Sequence, residues 1–175
     1  EELIDINRTY TITHSSRRIL EKIGIWSDLV SLFVPFQHLN IIDCELNNSF
    51  QFLINDLNKL DQKYSSVGWI AEHKLLMPCI LRFISNIENI NKIPTSVIPN
   101  TNNYDLIVAA DGSSSNTKKR LKTSSFNFSY DQLCLTAKVL LRGVNSNEAY
   151  GILNSEGPFE VLPLGGDLFQ IICSQ

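Results

Sequence analysis

The sequence lacks a basic excess, cysteines at metal-binding spacing and any apolar run that could cross a bilayer, and each absence removes a class of function. Lys and Arg total 15 against 18 Asp and Glu, a formal net charge of −3, and the pI is near 5.6. A nucleic-acid binder usually carries a strong basic surplus, so no nucleic-acid partner is expected. The one basic cluster, Lys118, Lys119, Arg120 and Lys122, reads as a solvated helix face. Cys44, Cys79, Cys134 and Cys173 are far apart and make no C-x-x-C pair. That spacing suits buried reduced thiols of a cytosolic protein better than a disulfide framework or a zinc site. His14, His38 and His73 are equally scattered, no H-E-x-x-H pattern occurs, and no metal is expected. A helical span needs roughly 18 to 20 apolar residues, and the stretch Ser31 to Phe36 is far too short. No leader pattern opens the chain. Glu1 rather than Met stands first, so the chain is expected to be a piece of something longer, acting in the cytoplasm.

What is present is ordinary globular composition, 43% hydrophobic and 19% charged over 175 residues, enough for one domain or two small layers sharing a core. A helix is expected from a cap at Thr13, Ser15 or Ser16, with Ile19, Leu20 and Ile23 on its apolar face and Gly24 as its stop. A second short helix follows from Ser27 to Phe33, ended by Pro35. Strands are expected at Phe36 to Cys44 and Phe50 to Ile54, a polar loop at Asn55 to Ser66, and an apolar stretch at Val67 to Ile70. The spacing of Leu76, Ile80, Leu81 and Ile84 predicts a helix over about Leu75 to Ile87, with Pro78 forcing a late start or a kink. Asn89 to Asn103 reads as loop, with a few extended residues at Thr95 to Ile98. After a boundary near Thr123 to Ser129, strands are expected at Leu133 to Leu141, Ala149 to Leu153, Phe159 to Leu164 and Leu168 to Cys173. Gly165-Gly166 marks a hairpin between the last two.

One segment carries chemistry. Tyr104 to Ala110 is a continuous apolar run that predicts a strand buried on both faces of a parallel sheet. It ends in Asp111-Gly112, followed by Ser113, Ser114 and Ser115 as caps of a short helix. Gly112 lets backbone approach a ligand closely, a helix N-terminus suits a phosphate, and Asp111 can accept hydrogen bonds from sugar hydroxyls. A plain turn with capping serines accounts for the same residues.

The wider pattern resembles a known family. Asp111-Gly112-x-x-Ser115-x-x-Lys118 is similar to the Asp-Gly motif of FAD-dependent aromatic-ring hydroxylases, and within them of the ubiquinone-biosynthesis hydroxylases of the UbiH/UbiF/VisC type. Three further stretches resemble the same family in order. The first joins Asp5-x-Asn7-Arg8 to Ser15-x-Arg17-x-x-Leu20-x-x-x-Gly24-Ile25-Trp26. The second is Val67-Gly68-Trp69-Ile70-Ala71-Glu72-His73-x-Leu75. The third joins Ala149-Tyr150 to Glu156-Gly157-Pro158-Phe159-Glu160-Val161-Leu162-Pro163-Leu164.

The resemblance implies a mixed α/β fold, in which part of a Rossmann-like FAD-binding domain is joined to an antiparallel substrate-binding sheet. It places the cofactor domain at residues 1–122, with inserted substrate-domain strands near 36–54, and the sheet at 123–175. It implies FAD as cofactor, NAD(P)H as co-substrate, and oxygen-dependent hydroxylation of a phenolic or prenylated, quinone-like ring, with peripheral membrane association if the substrate is lipid-tailed. Implied cofactor contacts are Arg8 on the diphosphate, His73 or Lys74 on the flavin side, and Asp111, Gly112 and Ser115. Lys118 stands where the family commonly has Arg, His73 where Asn is common, and Lys74 where Arg is common. The G-x-G-x-x-G turn and the later Gly-Asp motif are absent from these 175 residues. The alternative is a non-catalytic remnant that binds an apolar ligand or a partner protein. Trp26, Trp69, Phe159, Val161, Leu162 and Pro163 are expected to pack.

Overall fold

The computed structural model describes residues 8–93, 101–112, 115–124, 126, 128 and 131–175. Asp5, Asn7, Thr95 to Ile98, Ser113, Ser114, Ser125, Asn127 and Ser129 lie outside the described residues. The chain divides into two units, one made of Glu1–Ile87 with Gln132–Gln175, the other of Glu88–Asp131.

The first unit opens with a strand, β1 (Thr9–Ile12), and a helix, α1 (His14–Lys22), whose N-cap Thr13 accepts from the amide of Ser16. At its other end Gly24 has φ +84°. The Gly24 amide reaches the Glu21 carbonyl at 3.0 Å and the Ile25 amide the Leu20 carbonyl at 3.1 Å. That paired arrangement needs a left-handed residue, which glycine adopts without a Cβ clash. The face of α1 differs from expectation. Ile19 and Ile23 are 64% and 55% exposed, whereas His14 and Arg17 are buried. Polar side chains win the inner face because an acidic partner waits there, as described below.

The expected second helix is a short α2 (Trp26–Leu29) continued by a 3-10 turn over Val30–Leu32. Next come β2 (Val34–Phe36), β3 (His38–Asp43) and β4 (Asn48–Leu53). Pro35 sits within β2, an edge strand, where a missing N–H costs little. The polar stretch read as loop holds a four-residue helix, α3 (Lys59–Gln62), capped by Asn58, whose side-chain oxygen accepts from the amides of Leu60 and Asp61. Strand β5 (Gly68–Glu72) runs straight into α4 (His73–Ser85), with Pro78 inside the helix. The helix therefore starts before the proline and runs through it.

Two sheets build the unit. The smaller has the order β1-β5-β2, antiparallel throughout. The larger joins β3 and β4 to four later strands, β6 (Cys134–Leu140), β7 (Glu148–Asn154), β8 (Gly157–Gly165) and β9 (Leu168–Ser174), in the order β4-β3-β7-β8-β9-β6. It is antiparallel except for β3 against β7, a parallel pair with His38 opposite Glu148. One core cluster gathers Ile25, Trp26, Leu29, Phe33, Trp69, Ala71 and Cys79 around the smaller sheet. Both tryptophans pack here, edge to face with centroids 4.9 Å apart. A second cluster, Phe36, Val67, Ile70, Ala149 and Leu162, joins the two sheets. Val161, Leu162 and Pro163 are buried and Phe159 is half-buried.

In the second unit the expected strand over Tyr104 to Ala110 is not formed. Leu106 and Val108 are 79% and 74% exposed, and no described strand pairs with the segment. A strand buried on both faces exists only with neighbours on each side and layers above and below. The apolar run is the imprint of such surroundings, which the described residues do not supply. Asn116–Arg120 forms the short helix α5.

Candidate cofactor site

The expected site residues fall into two groups. Asp111, Gly112 and Ser115 lie together in the second unit; Arg8, His73 and Lys74 lie together in the first.

At Asp111 the carboxylate turns onto its own helix. It accepts a short hydrogen bond from the Ser115 hydroxyl and another from the Thr117 amide at 3.0 Å. The Ser115 oxygen in turn accepts from the Lys118 amide at 2.9 Å. Ser115 is thus the N-cap of α5, the role a short hydroxyl side chain plays at orphan helix amides. These bonds, the one from Ser115 foremost, lower the Asp111 pKa to about 2. Gly112 has φ +85°, and a Cβ built there would meet nothing within 4 Å. The turn therefore leaves open space beside a fully ionised acceptor. A cleft of about 530 Å³ lies in the same unit, lined by Tyr104, Leu106, Ile107, Val108 and Leu121 among others.

The second group sits where β5 meets α4. The His73 amide donates to the Arg8 carbonyl at 2.8 Å, which extends the β1–β5 ladder to the helix start. His73 is buried, and its Nδ1 lies 2.7 Å from the Tyr10 hydroxyl. Arg8 is exposed. Lys74 is 55% exposed and places Nζ 3.4 Å from Glu72 Oε2. The same oxygen accepts a short bond from Lys138 on β6. Burial works against the Glu72 charge, yet the Lys138 bond and the two lysine charges outweigh it and hold the carboxyl below its usual range.

Arg17 and Glu72 fall inside the matched stretches without a role assigned there, and Lys138, His14 and Asp61 fall outside them. Arg17 Nη2 donates to Asp61 at 2.7 Å and its Nη1 lies 2.5 Å from Glu21. Its guanidinium also stacks 3.9 Å from the centre of the Tyr64 ring. His14 Nε2 lies 2.8 Å from the Ser66 carbonyl. A signal was present: Asn58 three residues before Asp61 is cap spacing, and His14, Arg17 and Glu21 recur at helical spacing along one face of α1. On the larger sheet, Glu148 collects bonds from Tyr150, Asn40 and Asn145. The bond with Glu148 raises the Tyr150 pKa to about 12. Among the described residues no group of His, Cys, Asp and Glu has a metal-holding arrangement, and no helix is long and apolar enough to cross a membrane.

This architecture recurs in solved flavoproteins. PqsL of Pseudomonas aeruginosa, described as a probable FAD-dependent monooxygenase, superposes with a TM-score of 0.73 at 15% identity, over 99% of this chain and 52% of its own. HpxO of Klebsiella pneumoniae, solved with FAD and uric acid, gives a TM-score of 0.68 at 13% identity, over 97% and 47%. The fold is that of FAD-binding monooxygenase domains. In sequence, an uncharacterized protein of Synechocystis is 25% identical over 98% of this chain and 45% of its own length. The mitochondrial ubiquinone biosynthesis monooxygenase COQ6 of Drosophila melanogaster is 24% identical over 96% and 39%. The chain spans less than half the length of these curated relatives. No family model matches the sequence.

Proposed function

We propose that this chain is part of an FAD-dependent monooxygenase that hydroxylates a phenolic or quinone-like ring, in the manner of the ubiquinone-biosynthesis hydroxylases, with NAD(P)H as reductant. The observation that carries the reading is that likeness to a ubiquinone biosynthesis monooxygenase runs over 96% of the chain, on a fold shared with flavin monooxygenases. In this reading residues 1–122 contribute to the cofactor domain, and residues 123–175, with the strands near 36–54, to the substrate sheet. A prenylated substrate would bring the protein to a membrane surface.

The residues present suit FAD. Gly112 leaves open space at a turn, Asp111 stays ionised as an acceptor for ribityl or ribose hydroxyls, and Ser115 holds the turn in shape. Arg8 and Lys74 are exposed cations suited to phosphate or the polar edge of the flavin. When bound, FAD supplies the redox and oxygen chemistry; the protein's part is to bind, orient and exclude water. His73, fixed by Tyr10, orients the helix start that presents Lys74.

Titration with FAD, followed by oxygen consumption with NAD(P)H and a prenylated phenol, tests the reading. Absence of FAD binding by the longer protein that contains this chain would sink it. A non-catalytic module that binds an apolar ligand or partner is favoured by one observation, the exposed apolar run at Leu106 and Val108. Stoichiometric FAD binding with substrate-dependent oxygen uptake would exclude that second reading.

A further inference from the structure

Glu72 occupies the N-cap position of α4 with extended backbone, φ −79° and ψ 133°, yet its side chain makes no cap hydrogen bond to the helix. An acidic side chain beside a helix N-terminus is normally drawn to the free amides there. Here the carboxylate is held instead by Lys138 and Lys74, both on Oε2. Lys138 comes from β6, on the other sheet. Among the described residues this is the ion pair that ties the six-stranded sheet to the three-stranded one, and both side chains are mostly buried, 23% and 19% exposed.

The surroundings show that the pair is not a closed structural network. Thr9 lies directly across the ladder from Glu72, and Gln170 directly across from Lys138. Thr9 Oγ1 and Gln170 Oε1 are both buried without a hydrogen-bond partner. Each sheet thus brings one unpartnered polar atom to a residue of the pair, an arrangement costly to keep in a purely structural seam.

We propose that Lys138 is a positioning residue. By drawing the Glu72 carboxylate away from α4, it keeps the Lys74 and Leu75 amides, next after the His73 amide that serves the Arg8 carbonyl, open to an acceptor from the cofactor, and so makes cofactor binding depend on the seating of the substrate sheet. The functional half of this inference rests on the FAD reading; the structural half does not.

Lys138→Met removes the closer of the two lysine contacts, leaving only exposed Lys74 at 3.4 Å, and Glu72 then folds back as the helix cap. Amide hydrogen exchange at Lys74 and Leu75 is expected to slow about five-fold, the size of a helix-cap effect. Lys138→Arg, which keeps the cation, and the double variant Lys138→Met/Glu72→Gln, which removes the cap, are expected to stay near the parent rate. Unchanged exchange in a folded Lys138→Met protein overturns the inference. So does slowing that persists in the double variant. In the FAD-binding protein, Lys138→Met is expected to weaken FAD about five-fold and shift the bound flavin's absorption, with Lys138→Arg restoring both. If the parent binds no FAD, the cofactor reading fails while the exchange experiment still judges the pair. If FAD binds the parent and Lys138→Met equally, the positioning role fails while the cofactor reading stands.

Discussion

Arg17 and Asp61 meet at 2.7 Å across 44 residues of sequence, both side chains 4% exposed. The guanidinium is the hub that fastens α1 to α3, because it also reaches Glu21 and covers the Tyr64 ring. Arginine serves where lysine would not, since its planar fork bonds two carboxylates at once. Arg17→Leu leaves buried Asp61 without its buried guanidinium partner, with Arg18, Asn58 and His14 still beside it. It is expected to destabilise the protein by about 3 kcal/mol, the usual cost of removing one partner of a buried pair, read by urea unfolding. Arg17→Lys is expected to recover less than half of that loss.

The same hub sets an acid limb to stability. Burial alone would raise the Asp61 pKa; hydrogen bonds from Asn58 and Arg18 outweigh it and lower the value from 3.8. A carboxyl lowered on folding contributes stability that is present above its unfolded pKa and lost as pH falls through the folded one. Unfolding free energy is therefore expected to drop as pH falls below about 4. Asp61→Asn should flatten that limb in a pH series of urea melts, at the cost of lower stability at neutral pH.

Ser115→Ala removes the cap of α5. The expected loss is about 1 kcal/mol of local helix stability, seen as faster amide exchange at Lys118. Asp111→Ala tests the cofactor reading at the same turn. It is expected to weaken FAD binding about ten-fold or more, as loss of a charged hydrogen-bond acceptor does. Ser115→Ala separates that loss from a disturbed turn, because it keeps the carboxylate.

Phe169 is fully buried in β9, between Pro163 and Val139 in register. Phe169→Ala is expected to cost about 3 to 5 kcal/mol, enough to unfold the larger sheet at ordinary temperature. Circular dichroism on heating would measure it.

Periodicity and turn chemistry located most of the framework. Gly24 closes α1 as its position suggests, and the strands at Leu133 to Leu141 and onward appear in order, because alternation and glycine turns are local signals. Three features were not local. Arg17 and His14 displace Ile19 and Ile23 from the inner face of α1 for the sake of Asp61, which the sequence places in a polar stretch. The strand expected at Tyr104 to Ala110 needs neighbours that no local pattern supplies. The parallel partnership of β3 with β7 joins residues about a hundred positions apart, beyond the reach of any periodicity. At the candidate site, Asp111 and Gly112 announce themselves by motif. Glu72 falls within the Val67 to Leu75 match, but nothing there points to its partner Lys138, 66 residues away.

The parallel pairing of His38–Asp43 with Glu148–Asn154 also bears on how the protein comes to be folded. The chain leaves the first unit at Ile87, after α4, and re-enters it at Gln132, before β6, so everything between is an excursion from that unit. During synthesis β3 and β4 form a hairpin whose β3 edge waits unpaired until β7 has been made, about a hundred residues later. Such long-range closure is slow and open to aggregation. The same geometry makes the excursion forgiving in evolution: doubling the length of a loop already closed at both ends costs only about 0.6 kcal/mol. Changes of length between Ile87 and Gln132, away from the Asp111 turn, can therefore accumulate while the six-stranded sheet keeps its register.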